Sequence, residues 1–221
     1  MGNSTVQRTN MVDGQVRTSD VTDRRILRAM LDIPREIFAP ADMQPLAYFD
    51  QDLRVSAADQ PPRYLLAPSV FARMAQALNI DSDNVVLDVG CATGYGSAIL
   101  ARLAQTVVGL EVETDLADTA TKTLSGLSVD NVVVVTGPLE AGWPGEGPYD
   151  AILVNGAIAE PPTKLLEQLR DGGRLVAVLS DGVPGQAMLW QRSGTHVSSR
   201  SLFDAAVSPL PGFQRVPQFV F

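Results

Sequence analysis

The chain has 221 residues, 45% of them hydrophobic and 19% charged. A chain of that length buries roughly 70% of its unfolded surface and needs no disulfide or metal staple, and the composition is wrong for a disordered polymer. The formal net charge of −8 argues against a nucleic-acid partner, because phosphate binding relies on clustered Lys and Arg. One cysteine, Cys91, rules out an internal disulfide framework. One histidine, His196, removes most histidine-based catalysis and any multi-His zinc site, so no metal is expected. No apolar run approaches the ~18 residues of a membrane span, and residues 1–10 lack the apolar stretch of a secretory signal. A cytoplasmic protein with no membrane partner is expected, with residues 1–10 as a disordered tail.

From Ser19 the pattern turns helical: Ser19 and Asp20 are cap-type residues, and Ile26, Leu27, Met30 and Leu31 recur at helical spacing before Pro34. Residues 34–68 carry six prolines and little periodicity, yet hold Phe38, Tyr48, Phe49 and Tyr64. That is the composition of an irregular, substrate-facing segment. A helix is expected from about Ser69 to Leu78. An alternation follows: strand Val85–Val89, helix 95–104, strand Thr106–Glu111, helix 114–124, strand 131–136, strand 150–155, helix 162–170 and strand 174–180. Asp171-Gly172-Gly173 serves as the expected stop between the last two. Apolar strands separated by helices of 10–15 residues indicate a parallel sheet covered on both faces. The predicted fold is α/β, a doubly wound, mostly parallel sheet (residues 79–221) with a helical and irregular N-terminal appendage (residues 11–78). Residues 186–221 read as further strands.

The most informative stretch is Val86-Leu87-Asp88-Val89-Gly90-Cys91-Ala92-Thr93-Gly94-Tyr95-Gly96, placed where a strand ends and a helix begins. Glycines there let the backbone turn sharply and approach a ligand while helix N–H groups point outward. Glu111 lies 21 residues after Gly90, at the end of the next strand, where a carboxylate meets the ribose hydroxyls of a nucleotide-like ligand. The bland reading is a tight turn and a solvated acid. A dinucleotide and S-adenosylmethionine both fit the pattern. Asp88, entering the loop, favours the second, since a carboxylate suits a cationic amino-acid moiety and repels a pyrophosphate.

Asp-Val-Gly-x-x-x-Gly-Tyr followed by a spaced Glu resembles the class I S-adenosylmethionine-dependent methyltransferases. Further stretches resemble one branch, the protein-L-isoaspartate O-methyltransferases: residues 23–40 (DRRILRAMLDIPREIFAP), Ala47-Tyr48-Phe49-Asp50, residues 86–101 (VLDVGCATGYGSAILA), Ala141-Gly142-Trp143, Tyr149-Asp150-Ala151-Ile152 and residues 165–176 (LLEQLRDGGRLV). The resemblance covers roughly residues 12–180. It implies S-adenosyl-L-methionine as cofactor and isoaspartyl residues of damaged proteins or peptides as substrate. It also implies a cofactor site made of Asp88, Gly90, Cys91, Ala92, Thr93, Gly94, Glu111, Val112, Pro138, Leu139 and Asn155.

Three features depart from the family's pattern. Where its substrate loop carries hydroxyl residues this chain has Tyr64 and Leu66, which leaves Ser56 and Tyr64 as the candidates beside the acceptor, with Ser69 near. Pro138 stands where the family has an acid for the adenine amino group. Ala92 replaces the middle glycine of the loop, a methyl that fits only if its φ is negative. These departures keep three alternatives open: a methyltransferase with another acceptor, a member that binds cofactor without catalysis, and a dehydrogenase. Arg54 and Arg63 are read either as partners for a substrate carboxylate or as surface charge. Cys91 is read as a small buried filler rather than a redox-sensitive thiol, and His196 as solvated or structural. Trp143 either walls a pocket or simply packs. Asn155-Gly156, at the expected end of a strand, either lines the site or makes a turn.

Overall fold

Runs rich in β-branched and aliphatic residues, interrupted by the buried Asp88 and Asn155, form the centre of a seven-stranded sheet. The computed structural model describes residues 2–180 and 184–214. In chain order the sheet strands are β3 (Val85–Val89), β4 (Thr106–Glu111), β5 (Val132–Thr136), β6 (Tyr149–Ile158), β7 (Leu169–Leu179), β8 (Gly185–Ser193) and β9 (His196–Ala205). A separate two-stranded ribbon pairs β1 (Leu53–Arg54) with β2 (Tyr64–Leu65). The sheet order is β5-β4-β3-β6-β7-β8-β9, parallel from β5 to β7 and antiparallel beyond. The order reverses between β3 and β6. At such a switch point the connections leave in opposite directions and open a crevice beyond the carboxyl ends of the strands.

The helices are α1 (Gly2–Met11), α2 (Arg24–Asp32), α3 (Pro68–Leu78), α4 (Tyr95–Leu100), α5 (Thr114–Gly126) and α6 (Thr163–Leu166). Two apolar clusters cover the two faces of the sheet, as a parallel sheet requires. One holds α3, α4 and the N-terminal helices; the other holds Leu139, Leu165 and Leu210. Among the described residues no helix is long and apolar enough to cross a membrane, and no group of three His, Cys, Asp or Glu side chains is arranged to hold a metal.

Several expectations need correction. Residues 2–10 are helical rather than a disordered tail, because α1 runs directly into the fully buried Met11, Val12 and Val16. The second helix starts at Arg24, not near Ser19. Asp20 takes a left-handed conformation (φ 62°) that breaks the run, and Asp23 caps the new start by accepting from Arg25 N at 2.8 Å. The helix expected over 162–170 shrinks to the single turn of α6. Gln168 is tied down there: its side-chain amide donates to Ala141 O and accepts from Trp143 N, and its backbone carbonyl accepts from Tyr149 N at 2.8 Å. The chain therefore joins the sheet at Leu169, and Asp171-Gly172-Gly173 lies inside β7 instead of stopping a helix. Asn155-Gly156 is likewise inside β6, within a register shift between Leu153 and Ala157. Of the expected C-terminal strands β8 and β9 form, and residues 215–221 lie outside the described part.

Candidate functional site

The carboxyl ends of β3, β4 and β6 bring Asp88, Gly90, Glu111 and Asn155 to the switch point. Gly90 ends β3 with φ +74°, a conformation that costs an L-residue roughly 1–2 kcal/mol. A methyl group there would also stand 2.9 Å from Leu210 Cδ2 and 3.0 Å from Arg63 Nη2. Gly90→Ala is accordingly expected to cost about 2–5 kcal/mol in urea unfolding, the left-handed penalty plus overpacking of about 1–3 kcal/mol. An unchanged midpoint would show that loop and covering residues yield freely. Ala92 also sits at positive φ (50°), so the condition under which its methyl is tolerated without strain is not met. Its N–H donates to Glu111 Oε2 at 2.7 Å, which holds the residue in that conformation.

Glu111 is fully buried and heavily bonded. Oε1 accepts from Arg63 Nε (3.1 Å), Val112 N (2.9 Å) and Glu113 N (3.3 Å), and Oε2 from Arg63 Nη2 (2.7 Å) and Ala92 N. Arg63, read either as a partner for a substrate carboxylate or as surface charge, is neither in this structure: it is buried and its partner is the chain's own Glu111. The pair is 2% and 0% exposed. Arg54 instead donates to the carbonyls of Ala57, Ala58 and Gln60, tying the loop together.

Asp88 is fully buried beneath the loop. Ser97 Oγ donates to its Oδ2 at 2.6 Å and Asn155 Nδ2 to its Oδ1. Burial pushes its pKa up to about 6 against the opposing pull of those two donors, and the nearby Glu111 charge adds to the rise. Cys91 is buried, and its thiol is pushed well above the usual range, first by burial and then by the Asp88 and Glu111 charges. It is an inert filler rather than a reactive thiol.

The remaining expected residues divide. Tyr64, Gly90, Cys91 and Asn155 line one small, partly open cavity of about 10 Å³, room for a single water. Ser56 does not line it; Ser56 Oγ accepts from Arg63 N at 3.0 Å and so braces the arginine's own backbone. Thr93 sits in the loop with its hydroxyl turned away, donating to Phe38 O at 2.6 Å. Gly94 starts α4 at φ +92°. Val112 is half-buried beside Glu111, Pro138 is exposed after β5, and Leu139 is buried in the core with Leu110 and Trp143. Trp143 packs over Gly137, and His196 is exposed.

Two features escaped the sequence reading. Arg35 is 1% exposed, donates to Ala47 O and Leu66 O at 2.8 Å each, and lies over the Tyr95 ring at 4.7 Å beside the cavity. The Pro-Arg-Glu run gave no signal that this arginine turns inward. The second is Leu210, whose segment bonds β6 through Ala157 N to Ser208 O and Leu210 N to Ala157 O, both 2.9 Å. Leu210 thereby covers both Gly90 and Gly156.

The residues fit a cofactor with a ribose and an amino-acid end. A buried acid at the end of β4 and a left-handed glycine at the end of β3 flank the crevice, with a second acid beneath them. Glu111 already accepts two N–H donors from one side chain, so its two oxygens can serve a pair of adjacent hydroxyls.

The model of the family described as protein-L-isoaspartate(D-aspartate) O-methyltransferase matches residues 6–209. A Methanoculleus marisnigri protein named protein-L-isoaspartate O-methyltransferase is 40% identical over 77% of this chain and 76% of its own length. A Herpetosiphon aurantiacus protein of the same name is 35% identical over 93% and 90%. Among solved structures, one protein-L-isoaspartate O-methyltransferase superimposes with TM-score 0.83 at 24% identity, covering 94% of this chain and 67% of that one. A Plasmodium falciparum protein assigned to the same family, solved with S-adenosyl-L-homocysteine, superimposes with TM-score 0.76 at 20% identity over 91% and 96%. These two superpositions bear on the fold, a mostly parallel Rossmann-like sheet. The match across nearly the whole chain, with relatives at 35–40% identity, places this protein in the protein-L-isoaspartate (D-aspartate) O-methyltransferase family.

Proposed function

We propose that the protein transfers the methyl group of S-adenosyl-L-methionine to the carboxylate of isoaspartyl residues in damaged proteins or peptides. The observation that carries the reading is the family match over residues 6–209 together with a buried acid, Glu111, beside the left-handed Gly90 at the sheet's switch point. In this reading Glu111 with Val112 holds the ribose, the loop from Gly90 through Cys91, Ala92 and Thr93 to Gly94 supports the amino-acid end, and Asp88 with Asn155 answers its ammonium charge. Pro138 and Leu139 lie toward the adenine, where Pro138 supplies contact but neither a side-chain acceptor nor an N–H. Tyr64 faces the acceptor, and Ser56 acts on it indirectly through the loop. Residues 11–78 form the acceptor-side appendage and residues 79–221 the cofactor domain.

The cofactor supplies a methyl group already activated by a sulfonium. An acceptor carboxylate, with a reference pKa near 4, is ionised at neutral pH and needs no base from the chain. Held by Glu111, the Gly90–Gly94 loop and Asp88, the cofactor would supply that methyl to one acceptor oxygen, with the C–S electron pair left on sulfur. The residues here bind, orient and exclude water, and alignment of that kind supplies roughly 7–11 kcal/mol of a barrier. The lone histidine's exposed position is consistent with chemistry that requires no base. We further infer a cytoplasmic enzyme with no nucleic-acid partner, in keeping with the net charge of −8.

The test is formation of S-adenosylhomocysteine with two peptides that differ only in Asp or isoaspartate. Turnover with the isoaspartyl peptide alone is expected. Equal turnover with both, or none with folded enzyme in excess, contradicts the reading.

A further inference from the structure

The Glu111 carboxylate is fully occupied before any cofactor arrives, and the identity of its partners shows which of them can be exchanged. Three donors are backbone groups fixed by the β3 and β4 loops: Ala92 N, Val112 N and Glu113 N. The other two, Nε and Nη2, belong to one side chain, Arg63. A carboxylate offers about four acceptor positions, so additional donors have no room while the guanidinium stays. Two adjacent hydroxyls on a ribose match the two N–H groups of the guanidinium one for one. Arg63 also blocks the approach to the glycine loop, since Nη2 stands 3.0 Å from the position a Gly90 Cβ would take.

We propose that Arg63 is a built-in competitor for the ribose hydroxyls at Glu111, so that cofactor binding expels Arg63 and releases the loop that carries it. The proposal rests on the reading of Glu111 as the ribose acid. The release extends beyond one side chain because the loop is tied together around Arg63. Arg63 O accepts from Val55 N at 2.8 Å, Arg63 N donates to Ser56 Oγ, and Arg54 pairs with Tyr64 across the β1–β2 ribbon. Arg54 in turn gathers the carbonyls of Ala57, Ala58 and Gln60. Freed from Glu111, the ribbon carries Tyr64 away from the cavity that it lines with Gly90 and Asn155. The acceptor side then opens only on the cofactor-loaded chain, and Arg63 is a positioning residue that sets cofactor affinity and the order of binding.

The experiment is calorimetric titration of S-adenosylhomocysteine into the full chain and its Arg63→Met and Arg63→Lys variants. Met keeps the length of the stem and removes every donor; Lys keeps the charge as a point rather than a fork. The expected result is binding at least ten-fold tighter in Arg63→Met, although the unliganded variant melts lower, with Arg63→Lys between. Equal or weaker binding in Arg63→Met overturns the proposal and leaves the cofactor reading standing. No binding by any of the three chains overturns both. If Arg63→Met does not fold, tryptic cleavage after Arg63 in the unmodified chain decides. Saturating S-adenosylhomocysteine is expected to speed that cut at least five-fold while slowing cleavage elsewhere, and an unchanged or slower cut overturns the proposal.

Discussion

Glu111→Ala is expected to destabilise the unliganded protein by about 3–5 kcal/mol, the cost of leaving a buried charge without its partner. Both members of the pair are essentially inaccessible to water, so solvent screening does not soften the loss. The backbone N–H groups of Ala92, Val112 and Glu113 lose their acceptor as well, and Ala92 loses what holds it at positive φ. Against a total stability of about 5–15 kcal/mol for a typical domain, this single change approaches the threshold of folding. The double variant Glu111→Ala/Arg63→Met removes the stranded charge along with its partner. Its loss in urea unfolding is expected to fall short of the sum of the two single losses by about 1–3 kcal/mol. Additive losses would mean that the two side chains act independently and that the observed pairing contributes nothing.

Asp88 gives the second large effect, and its sign is opposite to that of an ordinary ion-paired acid. Its pKa rises from the usual 3.8 to about 6 because burial disfavours the charge more than Ser97 and Asn155 favour it. Between those values the folded chain keeps a proton that the unfolded chain has released. Stability therefore falls as pH rises from about 4 to about 6, by roughly 3 kcal/mol at 1.36 kcal/mol per unit of pKa. Asp88→Asn has no proton to lose. Its unfolding midpoint relative to wild type is expected to rise across that window and stay higher at pH 7, because the amide can still bond Ser97 and Asn155. Parallel pH profiles for the two proteins would show that Asp88 carries no such penalty. The variant also lacks the carboxylate assigned to the cofactor's amino-acid end, so weaker binding of S-adenosylhomocysteine should accompany the gain in stability.

The central strands were readable from the sequence because their burial leaves a direct mark. Val85–Val89 and Thr106–Glu111 are apolar except at the buried Asp88 and Glu111 near their carboxyl ends, and they appear with the expected limits. The glycine loop and the acid 21 residues beyond it were readable for a related reason, since strand, turn and helix lengths fix that spacing. Contacts across long stretches of chain left no such mark. Arg63 and Glu111 are 48 residues apart, and nothing periodic in the proline-rich segment says that one arginine turns inward while Arg54 stays with its own loop. The resemblance puts Thr93 in the cofactor loop, and nothing in the sequence shows that the Phe38 carbonyl, 55 residues earlier, takes its hydroxyl. Leu165, Leu166 and Leu169 match a helical repeat, and only the side-chain bonds of Gln168 reveal that the helix ends after one turn. Tyr64 and Leu66 in place of the hydroxyl residues of the family's substrate loop left another acceptor open. The structure shows that loop held by Arg63 to the very acid expected to bind the cofactor.

The chemistry turns on which atom of the acceptor receives the methyl group. The most direct measurement is to modify an isoaspartyl peptide with the protein and methyl-labelled S-adenosylmethionine, locate the label by tandem mass spectrometry, and follow its loss in mild alkali. The expected label is an O-methyl ester on the isoaspartyl carboxylate, released by alkali and absent from the matching Asp peptide. Label that survives alkali on a nitrogen or sulfur, or that is found equally on the Asp peptide, would contradict an isoaspartyl carboxyl methyltransferase.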